Sequence, residues 1–281
     1  MYSFFSGKRI VITGVTSGIG RDLSLLLHES RARLALIGLE FKELEALRSS
    51  MQGDLADLIL FQADVTDEKR LEAVGRDILA RWGGIDCVIA NAGIGSLNPG
   101  YEFSVSLDRR VMSVNYFGML HTFMPFVETM KSQGHGSLVA VSSLAAFRGV
   151  PCGASYCASK AAQMRALESL RVDLRPFGIQ VLSVHPGFVA TKMAEHQEFH
   201  MPFVVTVRRA SHEILRAIRS GKTRHLFPWP MAMLIHLNRL LPGPVYDHLH
   251  SWIARRQGRK RPMSIGHKTP DHAASHSLLD P

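Results

Sequence analysis

Cysteine is scarce in this chain: Cys87, Cys152 and Cys157 are the only three, and no two stand at C-x-x-C spacing. A disulfide-stapled secreted scaffold is thereby excluded, and a reducing, cytoplasmic compartment is expected. Long apolar runs are also missing. No stretch reaches roughly 18 uninterrupted apolar residues, the least that spans a bilayer. The first seven residues show no basic segment followed by an apolar one, so no signal peptide is expected. His267, His272 and His276 are loosely spaced, without Cys or carboxylate company, and predict no metal site. Charged residues are few, 20% against 46% hydrophobic, which is enough apolar material for a sizeable core.

The net charge of +9 is unevenly spread. Residues 255–281 hold six Lys/Arg and two Asp/Glu, a net +4 that leaves +5 for everything before them. The run Arg255-Arg256-Gln257-Gly258-Arg259-Lys260-Arg261 reads as a solvated tail or as a contact for an anionic membrane surface, not as a nucleic-acid site.

Short apolar runs alternate with helical periodicity, the pattern of βαβ units in an α/β, doubly wound Rossmann fold with helices on both faces. Seven parallel strands are predicted at 9–13, 33–37, 58–62, 86–90, 137–142, 180–185 and 224–227, with helices over 19–29, 42–51, 67–82, 109–130, 155–175 and 207–219. Residues 1–227 then form the main domain, 228–257 an apolar helical extension and 258–281 a disordered basic tail. In the extension, Met231 to Leu241 reads as one short helix stopped by Pro242-Gly243-Pro244. It packs on the body or a second subunit, or lies in a membrane interface.

After the first strand, Thr13-Gly14-Val15-Thr16-Ser17-Gly18-Ile19-Gly20 leads directly into a helix. Glycines there let the backbone approach a pyrophosphate, and the helix N-terminus offers unsatisfied N–H groups. Asp64-Val65 and Asn91-Ala92-Gly93 follow later strands, at the sheet end where such folds bind ligands. Further on, Tyr156 and Lys160 stand four apart on one helical face. Lowering a phenol from about 10 to about 7 needs about 4 kcal/mol, which a cation in a dry cleft can supply. Such a tyrosine could exchange a hydroxyl proton near neutral pH.

Taken together, T-G-x-x-x-G-I-G, N-A-G, a serine 13 residues before the tyrosine, Y-x-x-x-K and the later Pro186-Gly187 resemble the short-chain dehydrogenase/reductase family over about residues 7 to 225. The resemblance implies hydride transfer between NAD(P)(H) and an alcohol or ketone. It assigns Tyr156 as general acid or base, Lys160 as its pKa-lowering partner and ribose holder, Ser143 (not Ser142) to the substrate oxygen, and Asn115 to a water-ordering role. Gly14, Thr16, Ser17, Gly18, Ile19 and Gly20 match the pyrophosphate turn, Asp64 and Val65 the adenine contacts, and Asn91, Ala92 and Gly93 the supporting strand end. Pro186, Gly187 and Val189 match the segment leading to Thr191, which matches the carboxamide contact. A homodimer or homotetramer is implied as well.

The second strand ends in Gly38-Leu39-Glu40, neither the acidic pattern of NAD nor the basic one of NADP, so the choice stays open, with Arg21 and Lys42 as unplaced cations. Met193, Phe199, Met201, Pro202 and Phe203 lie where the family places a substrate-covering loop, which suggests an apolar or lipid-like substrate, unless they only pack the loop on the core. The competing reading is a catalytically silent NAD(P)-binding redox sensor. The full Asn-Ser-Tyr-Lys set argues against it, since a sensor needs no proton relay. Cys157 reads as helix packing and His185 as structural. The expected location is the cytoplasm, with possible peripheral contact at the inner face of a membrane.

Overall fold

The computed structural model describes residues 2–256, apart from 54, 96–97, 102 and 196–200. The basic tail from 258, its histidines and Phe199 lie outside the described residues.

Strands β1 to β6 follow from short runs rich in β-branched and aliphatic residues that alternate between two layers. In β1 (Arg9–Thr13), Ile10 and Ile12 enter one layer with Leu23 and Leu27, while Val11 enters the other with Val88 and Phe126. The sheet adds β2 (Arg33–Gly38), β3 (Leu58–Gln62), β4 (Cys87–Ala90), β5 (Gly136–Val141), β6 (Ile179–Pro186) and β7 (Arg224–Phe227). All seven are parallel, in the order β3-β2-β1-β4-β5-β6-β7. The chain winds outward from β1 to β3, then returns to lay β4 on the other side of β1. That reversal opens a crevice at the carboxyl ends of β1 and β4.

Helices α1 (Gly18–Glu29) and α2 (Phe41–Ser49) share a layer with α8 (Val207–Arg219), while α3 (Glu68–Trp82), α5 (Gly118–Gln133) and α6 (Ala154–Leu174) cover the other face. Two more, α4 (Val105–Met112) and α7 (Lys192–Glu195), lie beside the crevice end, and α9 (Trp229–Leu240) and α10 (Gly243–Arg256) close the chain.

Two helical expectations are corrected. The single helix predicted over 109–130 is two helices joined by a π turn, Ser113–Phe117, in which the Gly118 N–H bonds to the Ser113 carbonyl. Its cause is remote in sequence. The Asn115 side chain pairs with both backbone groups of Ile94, Nδ2 to the carbonyl at 3.0 Å and Oδ1 from the N–H at 2.8 Å, and this pull offsets the regular ladder. The second correction concerns Pro242-Gly243-Pro244. It does end α9, but Pro244 then sits at the second residue of α10, where a proline's fixed φ suits a helix start and its missing N–H costs nothing.

Candidate active site

Thr13 ends β1, and the turn after it is built by close contact. Gly14 has φ +69°, and a Cβ there would stand 2.6 Å from the Ala92 Cα; at Gly20 a Cβ would stand 2.2 Å from the Gly14 carbonyl oxygen and 2.4 Å from Asn91 Nδ2. No side chain fits at either position. Asn91 braces the turn, donating from Nδ2 to the carbonyls of Thr13 (3.2 Å) and Gly14 (2.9 Å). Ser17 caps α1 in extended conformation without a side-chain bond to the helix, so the first N–H groups of α1 stay available to a ligand.

A cavity of about 1050 Å³ opens over this turn. Its wall includes Gly14, Thr16, Ser17, Gly18, Ile19, Asp64, Val65, Asn91, Ala92 and Gly93 at one side, and Ser143, Tyr156, Lys160, Pro186, Gly187, Val189 and Thr191 at the other. Gly20 and Asn115 are not on the wall. Gly20 lies under the turn, and Asn115 is fully buried behind Gly93, whose Cβ position is 3.2 Å from Asn115 Oδ1.

Around the phenol the partners are specific. Ser143 faces the Tyr156 hydroxyl and lowers it, whereas the Ser142 hydroxyl donates to the Lys160 carbonyl at 3.2 Å. Burial pushes the Tyr156 hydroxyl above the usual phenol range, and Ser143 offsets this only in part. Lys160 is brought down to about 7 by burial; its ammonium donates to the Val141 carbonyl at 3.0 Å and lies 5.7 Å from the Tyr156 ring centre. With no cofactor bound, burial thus outweighs what lowers the phenol. Asn115 also donates to Ser159 Oγ at 2.9 Å, while its own carbonyl accepts from Gln163 Nε2. His185 is buried, with Nδ1 3.1 Å from the Ser143 carbonyl, and desolvation holds it down to about 4.

The substrate side has an apolar wall drawn from distant parts of the chain. Leu144, Phe188, Met193 and Met201 are joined by Met231 and Ile235 of α9 and by Ile253 of α10. The loop after β5 ties these helices down. Arg148 donates to the carbonyls of Asn238 (2.9 Å), Arg239 (3.0 Å) and Leu241 (3.1 Å) at the C-terminus of α9. Its guanidinium carbon lies 4.0 Å from the Tyr246 ring centre, and the Tyr246 hydroxyl donates to the Gly149 carbonyl. Sequence reading missed Met231, Ile235, Ile253 and Arg148 as site residues. The available signal was the nearly unbroken apolarity of α9, which leaves no polar face for solvent.

Residues 8–201 match the family model described as short chain dehydrogenase. The chain belongs to that family. Among its relatives, an uncharacterized oxidoreductase of Myxococcus xanthus (strain DK1622) is 35% identical over 243 residues, covering 86% of this chain and 96% of its own. Dehydrogenase/reductase SDR family member 7C of Xenopus tropicalis is 31% identical over 200 residues, 69% of this chain and 64% of that longer protein. A short chain dehydrogenase of Burkholderia cenocepacia J2315, solved in complex with NADP, superposes with a TM-score of 0.71 at 27% identity, covering 85% of this chain and 99% of that one.

This short-chain dehydrogenase/reductase is an NAD(P)-dependent oxidoreductase. The turn fits the cofactor's pyrophosphate: two glycines admit no Cβ, backbone N–H groups stay available, and the adjoining cavity is at the large end of ligand sites. At the end of β2 the wall consists of Gly38 and Leu39, both uncharged, and Arg21 is turned away to Ser50 Oγ at 3.2 Å.

Proposed function

We propose that the enzyme transfers a hydride between NAD(P)(H) and an apolar or lipid-like alcohol or ketone, with Tyr156 as general acid and base. One observation carries this reading: Ser143, Tyr156 and Lys160 share a single cavity wall with Leu144, Phe188, Met231, Ile235 and Ile253. A polar cluster of that kind fixes an oxygen, and the apolar remainder takes the body of the substrate.

Gly14, Ser17, Ile19 and Gly20 would hold the cofactor's pyrophosphate, Asp64 and Val65 its adenine, and Thr191 its carboxamide. The bound cofactor supplies or accepts the hydride. In oxidation, the alcohol O–H proton passes to the Tyr156 phenolate oxygen as its C–H leaves as hydride; in reduction, Tyr156 gives the proton back to the forming alkoxide. Ser143 donates to the substrate oxygen and orients it. Lys160 holds positive charge near the phenol, and Asn115, fixed by Ile94 and Ser159, backs the lysine. Exposed Phe117, Met124 and Val172 on the π turn, α5 and α6 favour a homodimer or homotetramer through that face. The proposed setting is the cytoplasm, next to the inner face of a membrane.

The test is binding of NADH and NADPH to wild type and Tyr156→Phe, with turnover on a panel of apolar ketones and alcohols. Unchanged cofactor binding with a loss of about 10²-fold or more in kcat supports the reading. Turnover by Tyr156→Phe near the wild-type rate rejects it.

A further inference from the structure

Helix α9 is apolar on two opposite faces. At 3.6 residues per turn, Met231 and Ile235 point to one side and line the cavity, while Trp229, Met233, Leu237 and Leu240 recur at three- and four-residue steps on the other. Nothing among the described residues covers that outer row: Trp229 is 71% exposed and Leu240 79%. Helix α10 extends the exposure with Val245, Leu249 and Trp252. A helix apolar all round belongs in a core or a membrane, and an exposed apolar face of this kind marks an interaction site.

Charge selects the occupant. Arg239 stands in the last turn of α9, and past the apolar row the sequence continues with Arg255, Arg256, Arg259, Lys260 and Arg261. Anionic headgroups attract such cations, and tryptophan with basic side chains suits the boundary between headgroups and acyl chains.

We infer that the outer faces of α9 and α10 dock on an anionic membrane surface, with their inner faces over the substrate cavity. Docking stands apart from the reading of the active site and rests on it in one respect: an apolar substrate leaving the bilayer would pass Met231, Ile235 and Ile253 on its way to Tyr156.

The experiment is co-sedimentation of the full chain with phosphatidylcholine vesicles, with and without phosphatidylserine, beside the variant Trp229→Ser/Leu237→Ser/Leu240→Ser. Turnover of a small water-soluble ketone and sedimentation equilibrium accompany it. The expected result is binding to the phosphatidylserine vesicles that weakens with salt and falls about tenfold or more in the variant, whose vesicle-free kcat/KM stays within about twofold of wild type. Absence of wild-type binding at low salt overturns the inference, as does full binding by a variant that still turns over. A variant that dissociates a dimer while vesicle binding is unchanged identifies a second copy as the cover, and also overturns it. Should the variant fail to fold, the lipid and salt dependence of the wild type decides. Binding is read without turnover, so a wild type that binds vesicles but turns over none of the apolar ketones and alcohols of the panel above rejects the apolar-substrate reading and leaves docking intact.

Discussion

The Lys160 ammonium lies 5.7 Å from the centre of the Tyr156 ring and makes its hydrogen bond to the Val141 carbonyl, 3.0 Å away. A buried cation with one neutral acceptor is poorly compensated, which is why burial brings it down to about 7. On the proposed mechanism, the protein therefore carries a group that function requires and stability does not.

That imbalance predicts a pH-dependent stability. The folded lysine sits at about 7 and the unfolded one at its ordinary 10.5, so between them the unfolded chain binds the extra proton and stability rises with pH. Below about 7 the cost is complete, about 5 kcal/mol before relaxation. Lys160→Met should melt about 5 °C or more above wild type at pH 6, with the gap closing toward pH 10, while turnover is lost. Melting curves across pH check this; a variant less stable than wild type at pH 6 contradicts it.

His185 works in the acid range. Desolvation holds its folded value at about 4 against 6.5 unfolded, so stability is complete above 6.5 and falls as pH drops toward 4, by about 3 kcal/mol. Urea unfolding at pH 7 and pH 4.5 should show a smaller difference for His185→Gln than for wild type. Equal differences would assign the acid loss to other groups.

Gly20→Ala sets a methyl group against the Gly14 carbonyl and Asn91 Nδ2. The turn must open, at about 1–3 kcal/mol. Fluorescence titration should show NAD(P)H binding weakened at least tenfold in a protein that still folds. Wild-type affinity would mean that the turn tolerates the shift and does not set the cofactor site.

Arg148→Ala removes the donor to three carbonyls at the end of α9 and the cation beside Tyr246. Hydrogen exchange should quicken across residues 229–256, and KM for an apolar ketone should rise several-fold with a smaller change in kcat, from a local loss of about 1–3 kcal/mol. Arg148→Lys should rescue in part, since all three bonds come from the one nitrogen Nη1, which an ammonium can copy, while the planar stacking on Tyr246 is lost. Unchanged exchange in α9 would show that the helix is held by its apolar contacts alone.

Much of this was legible in the sequence because it is local. The glycine turn, the alternating strands and the one-turn step from Tyr156 to Lys160 each depend on residues close in the chain. The π turn was not legible, since its cause is a side-chain pairing between Asn115 and Ile94 across 21 residues. The α9–α10 wall was hidden for the same reason. Arg148 meets α9 some 90 residues onward, and Pro-Gly-Pro signals a helix stop and a helix start alike. The phenol's burial was not legible, because spacing reports proximity and not solvation.

The π turn has a bearing on how such an enzyme could be silenced. It holds one residue more than an α-helix needs over the same rise, so deleting Ser113 or Val114 would let α4 and α5 fuse into a regular ladder. Asn115 would then swing about 100° around the axis, away from Ile94 and Ser159. The glycine turn and the sheet would be untouched. If Asn115 has the role proposed above, a single-codon loss would separate holding a nucleotide from using it.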